Sequence, residues 1–280
     1  MRSGKTQGER ATVSEWARAR IREFRFMDDA FMQVCFASDT DCLQEVLRII
    51  LDMPDLEVLS VRTQEPLKNL RGRSLSLDVL ARDSAGRLYN LEVQRKDVDP
   101  RRGRLHGAMV DSGALEAGAD FADLPDSYVI FIMERDPFGR NLPLYHFERF
   151  MPEIGLPLND GSHIIYVNGE IRGRQTKLAQ LMHDFFCADP DDMYLEPLAR
   201  VARRFKQDEE GVRKMGSVVE DIRMELEDEI RAKERSELAL QLLKMGGFTL
   251  EKIAELTRLR LDEVRALIEQ NAGGALNGAK

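Results

Sequence analysis

Residues 74–94 constrain the fold of this chain more than any other segment, because they predict a hairpin of two β-strands. Polar and apolar residues alternate through both halves, and residues two apart in a strand share a face. The alternation places Asp78 on the polar face of the first strand, and Glu92 and Gln94 on the polar face of the second. A three-residue loop with Gly86 in the left-handed conformation is expected to join the strands.

This loop sets Asp83 opposite Arg87 and therefore Asp78 opposite Glu92. The Cβ atoms of directly opposed residues lie about 4.5–5.5 Å apart, and two carboxylates at that spacing repel unless a positive charge lies between them. A divalent cation is a natural partner for such a pair. Two alternatives stay open: a four-residue loop would move Asp78 to the other face from Glu92, and acidic strand residues often face solvent.

Composition indicates a globular protein with a proper core, since 43% of the 280 residues are hydrophobic and 32% are charged. The first ten residues lack the apolar centre of a signal peptide, and the longest apolar runs are too short to span a membrane. We therefore expect a cytoplasmic protein without a membrane partner. The cysteines, Cys35, Cys42 and Cys187, form no C-x-x-C motif and are expected to be reduced thiols.

The distribution of charge is more informative than the net charge of −8, which argues against bulk attraction to nucleic acid. Residues 1–25 contain seven Arg or Lys and three acidic residues, whereas residues 205–240 contain seven basic and eleven acidic residues. A basic cluster directly follows the second strand of the hairpin: Arg95, Lys96, Arg101, Arg102 and Arg104. This cluster is either an ordinary exposed helix start or a surface that contacts a phosphate backbone.

Periodicity and capping residues predict further elements on both sides of the hairpin. The predicted helices span 14–26, 40–51, 101–115, 178–187, 195–206 and 212–243. The predicted strands span 56–62, 127–133, 144–147 and 164–167, and the unbroken apolar run of 127–133 indicates a buried strand. Strands alternating with helices indicate an α/β fold.

The chain is predicted to comprise four parts. A basic N-terminal segment, 1–25, is disordered at 1–12, and a core domain spans 26–206. A long charged helix spans 207–243 and carries a thin apolar stripe, which favours a homo-oligomer. Residues 244–280 form a small helical hairpin and a disordered tail. Thr249 is expected to cap its first helix and the second begins near Leu261, a helix-turn-helix pattern that either contacts DNA or only packs.

The order helix, strand, hairpin, helix and apolar strand resembles the PD-(D/E)XK nuclease superfamily. Within it, the chain resembles the PD-(D/E)XK nuclease family transposases, also called recombination-promoting nucleases, from about Phe26 to Met224. The resemblance rests on five segments: Leu77–Ala81, Gly86–Gln94, Ile164–Asn168, His183–Met193 and Phe248–Glu255. It implies a restriction-endonuclease-like core, a central mixed sheet flanked by helices, with a helical C-terminal extension.

The resemblance also implies a catalytic site at Asp78, Glu92 and Gln94, in which Asp78 and Glu92 hold Mg²⁺ or Mn²⁺. Gln94 departs from the lysine of the superfamily pattern: its amide can orient water or a phosphate oxygen but supplies no positive charge. Either the activity is weakened or a neighbour of Gln94 supplies that charge, and strand alternation favours Lys96 over Arg95. An upstream acid on the first core helix assists in the superfamily, and here Asp41 and Glu45 both remain candidates.

The implied function is a metal-dependent DNA endonuclease of the transposase or recombination-promoting type, which hydrolyses phosphodiester bonds. Arg101, Arg102 and Arg104 are then expected to contact the DNA backbone. Two alternatives remain: a catalytically impaired nuclease-fold protein that binds DNA or a protein, and a structural adaptor that uses the charged helix. The sequence contains no P-loop, G-x-S-x-G or H-E-x-x-H motif. Four scattered histidines receive no catalytic role: His106, His146, His163 and His183.

Overall fold

The computed structural model of the protein describes residues 13–67, 75–96, 99–115 and 118–268. The chain divides into two compact units, Met1–Gly216 and Ser217–Lys280. The first contains a six-stranded mixed sheet flanked by helices, and the second is helical, so the predicted α/β class and helical C-terminal part are confirmed. The disorder predicted for 1–12 lies outside the described residues, as does the end of the chain, residues 269–280.

Eight strands are described: β1 (Val58–Leu67), β2 (Leu75–Asp83), β3 (Leu88–Gln94), β4 (Ser127–Met133), β5 (Leu144–Phe147), β6 (Phe150–Met151), β7 (Leu156–Pro157) and β8 (Ser162–Asn168). The α-helices with described ends are α1 (Glu15–Glu23), α2 (Asp29–Ser38), α3 (Thr40–Leu51), α4 (Pro100–Ala114), α5 (Lys177–Phe186), α6 (Glu196–Lys206), α7 (Glu209–Met245) and α8 (Leu250–Thr257). Residues 261–268 are also helical. None of the helices within these ranges is long and apolar enough to cross a membrane.

The six-stranded sheet has the order β1-β2-β3-β4-β8-β5. β1, β2 and β3 are antiparallel neighbours, β3, β4 and β8 run parallel, and β5 is an antiparallel edge strand beside β8. β4 is buried along its whole length, as its apolar sequence predicts. β3 is buried from residue 88 to residue 93, so polar side chains on this strand lie inside the protein.

The β2–β3 turn is the predicted three-residue loop. Gly86 has φ +86°, a conformation that costs glycine no steric strain, and its amide donates to the carbonyl of Asp83 at 3.0 Å. The Asp83 amide in turn donates to the carbonyl of Arg87 at 3.1 Å. The ladder from Arg82–Leu88 to Val79–Leu91 follows the predicted register.

α4 begins as its sequence predicts and packs closely against the sheet. The Asp99 side chain accepts a hydrogen bond from the Arg101 amide, and Pro100 occupies the first turn, where its missing N–H is not needed. A Cβ atom on Gly103 would lie 3.0 Å from Cγ2 of Ile164, so the lack of a side chain there lets the helix approach β8. The same packing brings Arg102 of α4 close to Glu92 and Gln94 of β3.

α2 and α3 form a helical layer next to β1 and β2. Asp39 caps α3 by accepting a hydrogen bond from the Cys42 amide at 3.0 Å. α2 was not among the predicted helices. β6 and β7 were also not predicted, because two-residue strands are too short to show alternation.

The second unit has its own small core. Thr249 caps α8 by accepting a hydrogen bond from the Lys252 amide at 3.3 Å, and residues 261–268 form a second helix after a short turn. Ala239 of α7 is buried with Ile253 and Val264. The α7 helix also exposes several apolar side chains: Ile222, Met224, Leu226, Ile230 and Leu238.

Candidate active site

Asp78 and Glu92 meet one position beyond the last paired residues of the β2–β3 ladder. Oε1 of Glu92 accepts a hydrogen bond from the backbone amide of Asp78 at 3.1 Å, and the two carboxyl groups interact directly. The alternative with a four-residue loop is therefore wrong. Glu92 is only 1% exposed, which also excludes a solvated face for this residue, while Asp78 is partly buried.

Glu92 is a buried acid whose oxygens are well supplied with donors. Asn90, two residues earlier on the same face of β3, donates from Nδ2 to Oε1 of Glu92 at 2.9 Å. Nη2 of Arg102 lies 3.5 Å from Oε2, and Nδ1 of His106 lies 3.5 Å from Oε1. A buried carboxylate persists when charge and hydrogen bonds compensate its desolvation, and this set provides both.

A chain of hydrogen bonds connects Arg102 to Glu92 through two neutral side chains. Nε of Arg102 donates to Nε2 of His106 at 3.2 Å, and Nδ1 of His106 lies 2.9 Å from Oδ1 of Asn90. Because guanidinium nitrogens only donate, Nε2 of His106 must accept, and its proton is on Nδ1. Burial lowers the pKa of His106 to about 4, so the ring is neutral at neutral pH.

The two carboxyl groups hold a proton that they would lose in water. The pKa of Asp78 is raised to about 8, mainly by burial and also by the negative charges of Glu92 and Asp29. Burial also raises the pKa of Glu92, against the hydrogen bonds from Asn90 and the Asp78 amide. Because two carboxylates at this distance repel, a cation bound between them favours the state in which both are ionised.

The positive charge at the site comes from α4. Nη1 of Arg102 donates to Oε1 of Gln94 at 3.1 Å while its other amino group faces Glu92. Lys96, the predicted neighbouring cation, is exposed, and Arg102 is the cation that contacts both Gln94 and Glu92. Arg95 pairs with Asp28 instead. β3 ends at Gln94, and the side chain of Arg102 on the following helix, α4, reaches both Gln94 and Glu92.

The helix that approaches the acidic pair is α2, not α3. Nε2 of Gln33 donates to Oδ1 of Asp78 at 3.3 Å, and the charge of Asp29, one turn earlier on α2, raises the pKa of Asp78. The predicted upstream acids lie elsewhere: Asp41 is exposed, and Glu45 lies close enough to Cys42 for its charge to raise the pKa of that thiol. Asp29 therefore replaces Asp41 and Glu45 as the nearby helical acid.

The predicted DNA-contacting arginines separate into two groups. Arg102 turns into the site, whereas Arg101 is exposed and pairs with Asp99 at 3.2 Å, and Arg104 is exposed. His106 received no role from the sequence, yet it is fully buried beside Glu92. The i, i+4 spacing of Arg102 and His106 on a predicted helix was the signal that could have connected them.

Comparison of the chain with protein-family models, with curated proteins and with solved structures found no match.

Proposed function

We propose that this chain is a metal-dependent DNA endonuclease with a PD-(D/E)XK core, of the transposase or recombination-promoting type. The observation that carries the proposal is the convergence of Asp78 and Glu92 on adjacent strands, with their shared proton and an arginine beside them. A second carboxylate beside a buried carboxylate destabilises the fold by repulsion, so such a pair indicates a functional site rather than a structural one.

The order of elements supports the proposed core. Helix α3 is followed by the antiparallel strands β1, β2 and β3, then by α4 and by β4, which lies parallel to β3. The acids come from the neighbouring strands β2 and β3, and Glu92 lies near the end of β3 that leads to α4. This is the arrangement expected from the sequence resemblance.

The donor set fits a hard divalent cation. Carboxylate oxygens are the ligands that Mg²⁺ and Mn²⁺ prefer, and Asp78 and Glu92 would hold the ion in place of their shared proton. When bound, the ion would lower the pKa of a coordinated water and offset charge on the scissile phosphate. The neutral His106–Asn90 pair keeps Glu92 in position for this role.

Two further side chains can act on the phosphate directly. Arg102 carries a permanent charge and is 41% exposed, so its guanidinium can exchange Glu92 for a phosphate oxygen. Gln94 can donate from its amide nitrogen to the same oxygen or to the attacking water, since its Oε1 is already occupied by Arg102.

Supercoiled plasmid DNA tests the proposed activity. We expect the purified full-length chain to nick or linearise it with Mg²⁺ or Mn²⁺ and not with EDTA. Asp78→Asn should be inactive under the same conditions, whereas Asp41→Asn, an exposed acid on α3, should cleave like the wild type. Metal-independent cleavage, or an active Asp78→Asn variant, would refute the proposal.

A second candidate is a catalytically impaired nuclease-fold protein that binds DNA or a protein. The observation in its favour is that Arg102 already pairs with Glu92 and Gln94. The guanidinium therefore lies where an active nuclease would hold a metal ion and its catalytic lysine. DNA binding without cleavage in Mg²⁺ and in Mn²⁺ would support this candidate over the first.

We predict that Arg101 and Arg104 contribute to DNA affinity through phosphate contacts. The logarithm of the binding constant should fall less steeply with the logarithm of salt concentration in Arg101→Ala/Arg104→Ala, by about 0.9 for each lost contact. Fluorescence anisotropy with a DNA duplex measures this slope. Arg203→Ala, which also removes an arginine paired with an acid but lies on α6, is the matched control. An unchanged slope in the double variant would remove α4 from the interface.

We predict that Gln94→Lys alone impairs metal use. The new ammonium would lie beside Arg102 and would remove its acceptor, so two cations would compete with the metal for the carboxylates. We expect the Mg²⁺ concentration for half-maximal cleavage to rise by at least about tenfold, since close charges at a protein surface interact by several kcal/mol. Adding Arg102→Gln should reverse the effect. Equal Mg²⁺ requirements for all three proteins would contradict the role given to Arg102.

A further inference from the structure

A second group of potential metal ligands lies on the edge strand and its neighbour. Nε2 of His146 is 3.0 Å from Nδ1 of His163, and Oε1 of Glu148 lies 3.1 Å from Nδ1 of His163 and 3.7 Å from Nε2 of His146. Among the residues within the described ranges, this is the group of three histidine, cysteine or acidic residues whose ligand atoms come close enough to share an ion.

The distances match the coordination sphere of a transition metal. Two ligands of a tetrahedral ion at about 2.0–2.1 Å from each are about 3.3 Å apart, and the three separations here bracket that value. An ordinary hydrogen bond explains one of these contacts but leaves the other two as a lone-pair repulsion or a weak ion pair. Two imidazoles and one carboxylate are also a ligand set that Zn²⁺ and related divalent ions prefer.

Strand geometry explains why the three side chains converge. β5 and β8 pair with Phe147 opposite Ile164, so the next position sets Glu148 opposite His163. His146 lies two residues before Glu148 and therefore shares its face. The ring of His163 stacks on Tyr128 with centroids 4.4 Å apart, which fixes its orientation.

The group is separate from the Asp78–Glu92 site. In the parallel ladders, Glu92 is level with Phe131 and Tyr166, whereas His163 is level with Tyr128 at the opposite end of β8. His163 and Tyr166 are three residues apart on one strand, so their side chains point to opposite faces of the sheet. A ligand bound at one site does not occupy the other.

The surroundings leave room for a fourth ligand. Glu148 and His163 line a cleft of about 190 Å³ whose wall also contains Asp126 and Asp160. The imidazole of His146 is 41% exposed, so solvent reaches the ligand atoms from the edge of the sheet. Three protein ligands with one open position are typical of zinc sites that bind a water or a substrate group, whereas structural zinc sites are closed by four protein ligands.

We propose that His146, Glu148 and His163 bind one divalent transition-metal ion, of the Zn²⁺ class, at the β5–β8 edge. The proposal is independent of the proposed nuclease function, since neither the residues nor the face of the sheet is shared.

Calorimetric titration of the full-length chain with Zn²⁺, after removal of metals by a chelator, tests the site. We expect one tight Zn²⁺ at His146, Glu148 and His163 in the wild type, apart from any Zn²⁺ that Asp78 and Glu92 take up. Outer-shell partners of metal ligands are worth about 10–100-fold in affinity, so loss of a direct ligand in His146→Gln, His163→Gln or Glu148→Gln should weaken binding by at least about 100-fold. Co²⁺ in place of Zn²⁺ should give the absorption bands of a four- or five-coordinate site without a thiolate ligand.

The controls distinguish this site from the rest of the molecule. His183→Gln removes a partly exposed histidine elsewhere, beside Asp184, and should bind Zn²⁺ like the wild type. His146→Gln is the variant least expected to disturb folding, because the side chain is on the edge strand and exposed. Unchanged tight binding in folded His146→Gln and Glu148→Gln, or no tight binding by the wild type, would overturn the proposal.

Discussion

Replacing Asp78 with asparagine is expected to stabilise the metal-free protein at pH 8 while removing its response to Mg²⁺. The folded protein holds the pKa of Asp78 at about 8, well above the value of 3.8 for a free aspartate, so between these values the folded state binds a proton that the unfolded state has lost. Stability from this group is complete below the lower pKa and decreases as pH rises through the window.

The size of the effect follows from the same shift, since one pKa unit corresponds to about 1.4 kcal/mol. The difference in free energy of unfolding between Asp78→Asn and the wild type should be more favourable to the variant at pH 8 than at pH 5, by more than about 1 kcal/mol. Urea denaturation at both pH values, without divalent ions, measures the gain. Asp41→Asn is the control, since it changes an exposed acid to an amide on α3. Equal pH dependence of Asp78→Asn and wild type would contradict the proton held by this carboxyl group.

The same linkage gives Mg²⁺ a pH-dependent effect on the wild type. Metal binding must displace the retained proton, so binding strengthens as pH rises toward the pKa of Asp78. Mg²⁺ should therefore raise the melting temperature of the wild type more at pH 8 than at pH 6, and it should leave that of Asp78→Asn nearly unchanged.

Replacing Glu92 with alanine is expected to have the opposite effect on stability. Glu92 is the acceptor for the Asp78 amide and for Asn90, and it faces the charge of Arg102. Arg102 is 41% exposed and can turn to solvent, but the Asn90 side-chain amide and the Asp78 backbone amide would each lose an acceptor, at about 1–3 kcal/mol for each unsatisfied group. We expect a loss of about 3 kcal/mol in the free energy of unfolding, measured by urea denaturation at pH 7.

A surface acid provides the comparison for Glu92. Glu23 forms an exposed ion pair with Arg20, and such pairs contribute about 0–1 kcal/mol, so Glu23→Ala should change stability little. If Glu92→Ala is no less stable than Glu23→Ala, the hydrogen-bond network around Glu92 does not support the fold as described here.

The sequence was sufficient to predict the parts of the site that depend on local rules. Alternation and the position of Gly86 determine the β2–β3 register, and the register alone brings Asp78 opposite Glu92. The start of α4 near residue 101 was predicted in the same way, from Pro100 in its first turn. These features depend on neighbours within about fifteen residues, where strand period and capping chemistry act.

The residues missed by the sequence analysis reach the site through long-range packing. Gln33 contacts Asp78 from 45 positions away, and nothing in the local pattern of α2 indicates which of its polar residues faces the sheet. Lys96 is close to Gln94 in the chain, but Arg102 is the residue that returns to it, because Gly103 allows α4 to pack against β8. Nearness in sequence to Gln94 therefore did not identify the contacting cation, because the chain turns back between β3 and α4.

Anomalous diffraction from a crystal soaked in Mn²⁺ at pH 8 tests whether Asp78 and Glu92 bind one metal ion together. We predict an anomalous peak in contact with a carboxylate oxygen of Asp78 and one of Glu92, with Arg102 displaced from Glu92, and no such peak in Asp78→Asn. A crystal saturated with Mn²⁺ that shows no ion between the two carboxylates, with Arg102 still paired to Glu92, would contradict the account.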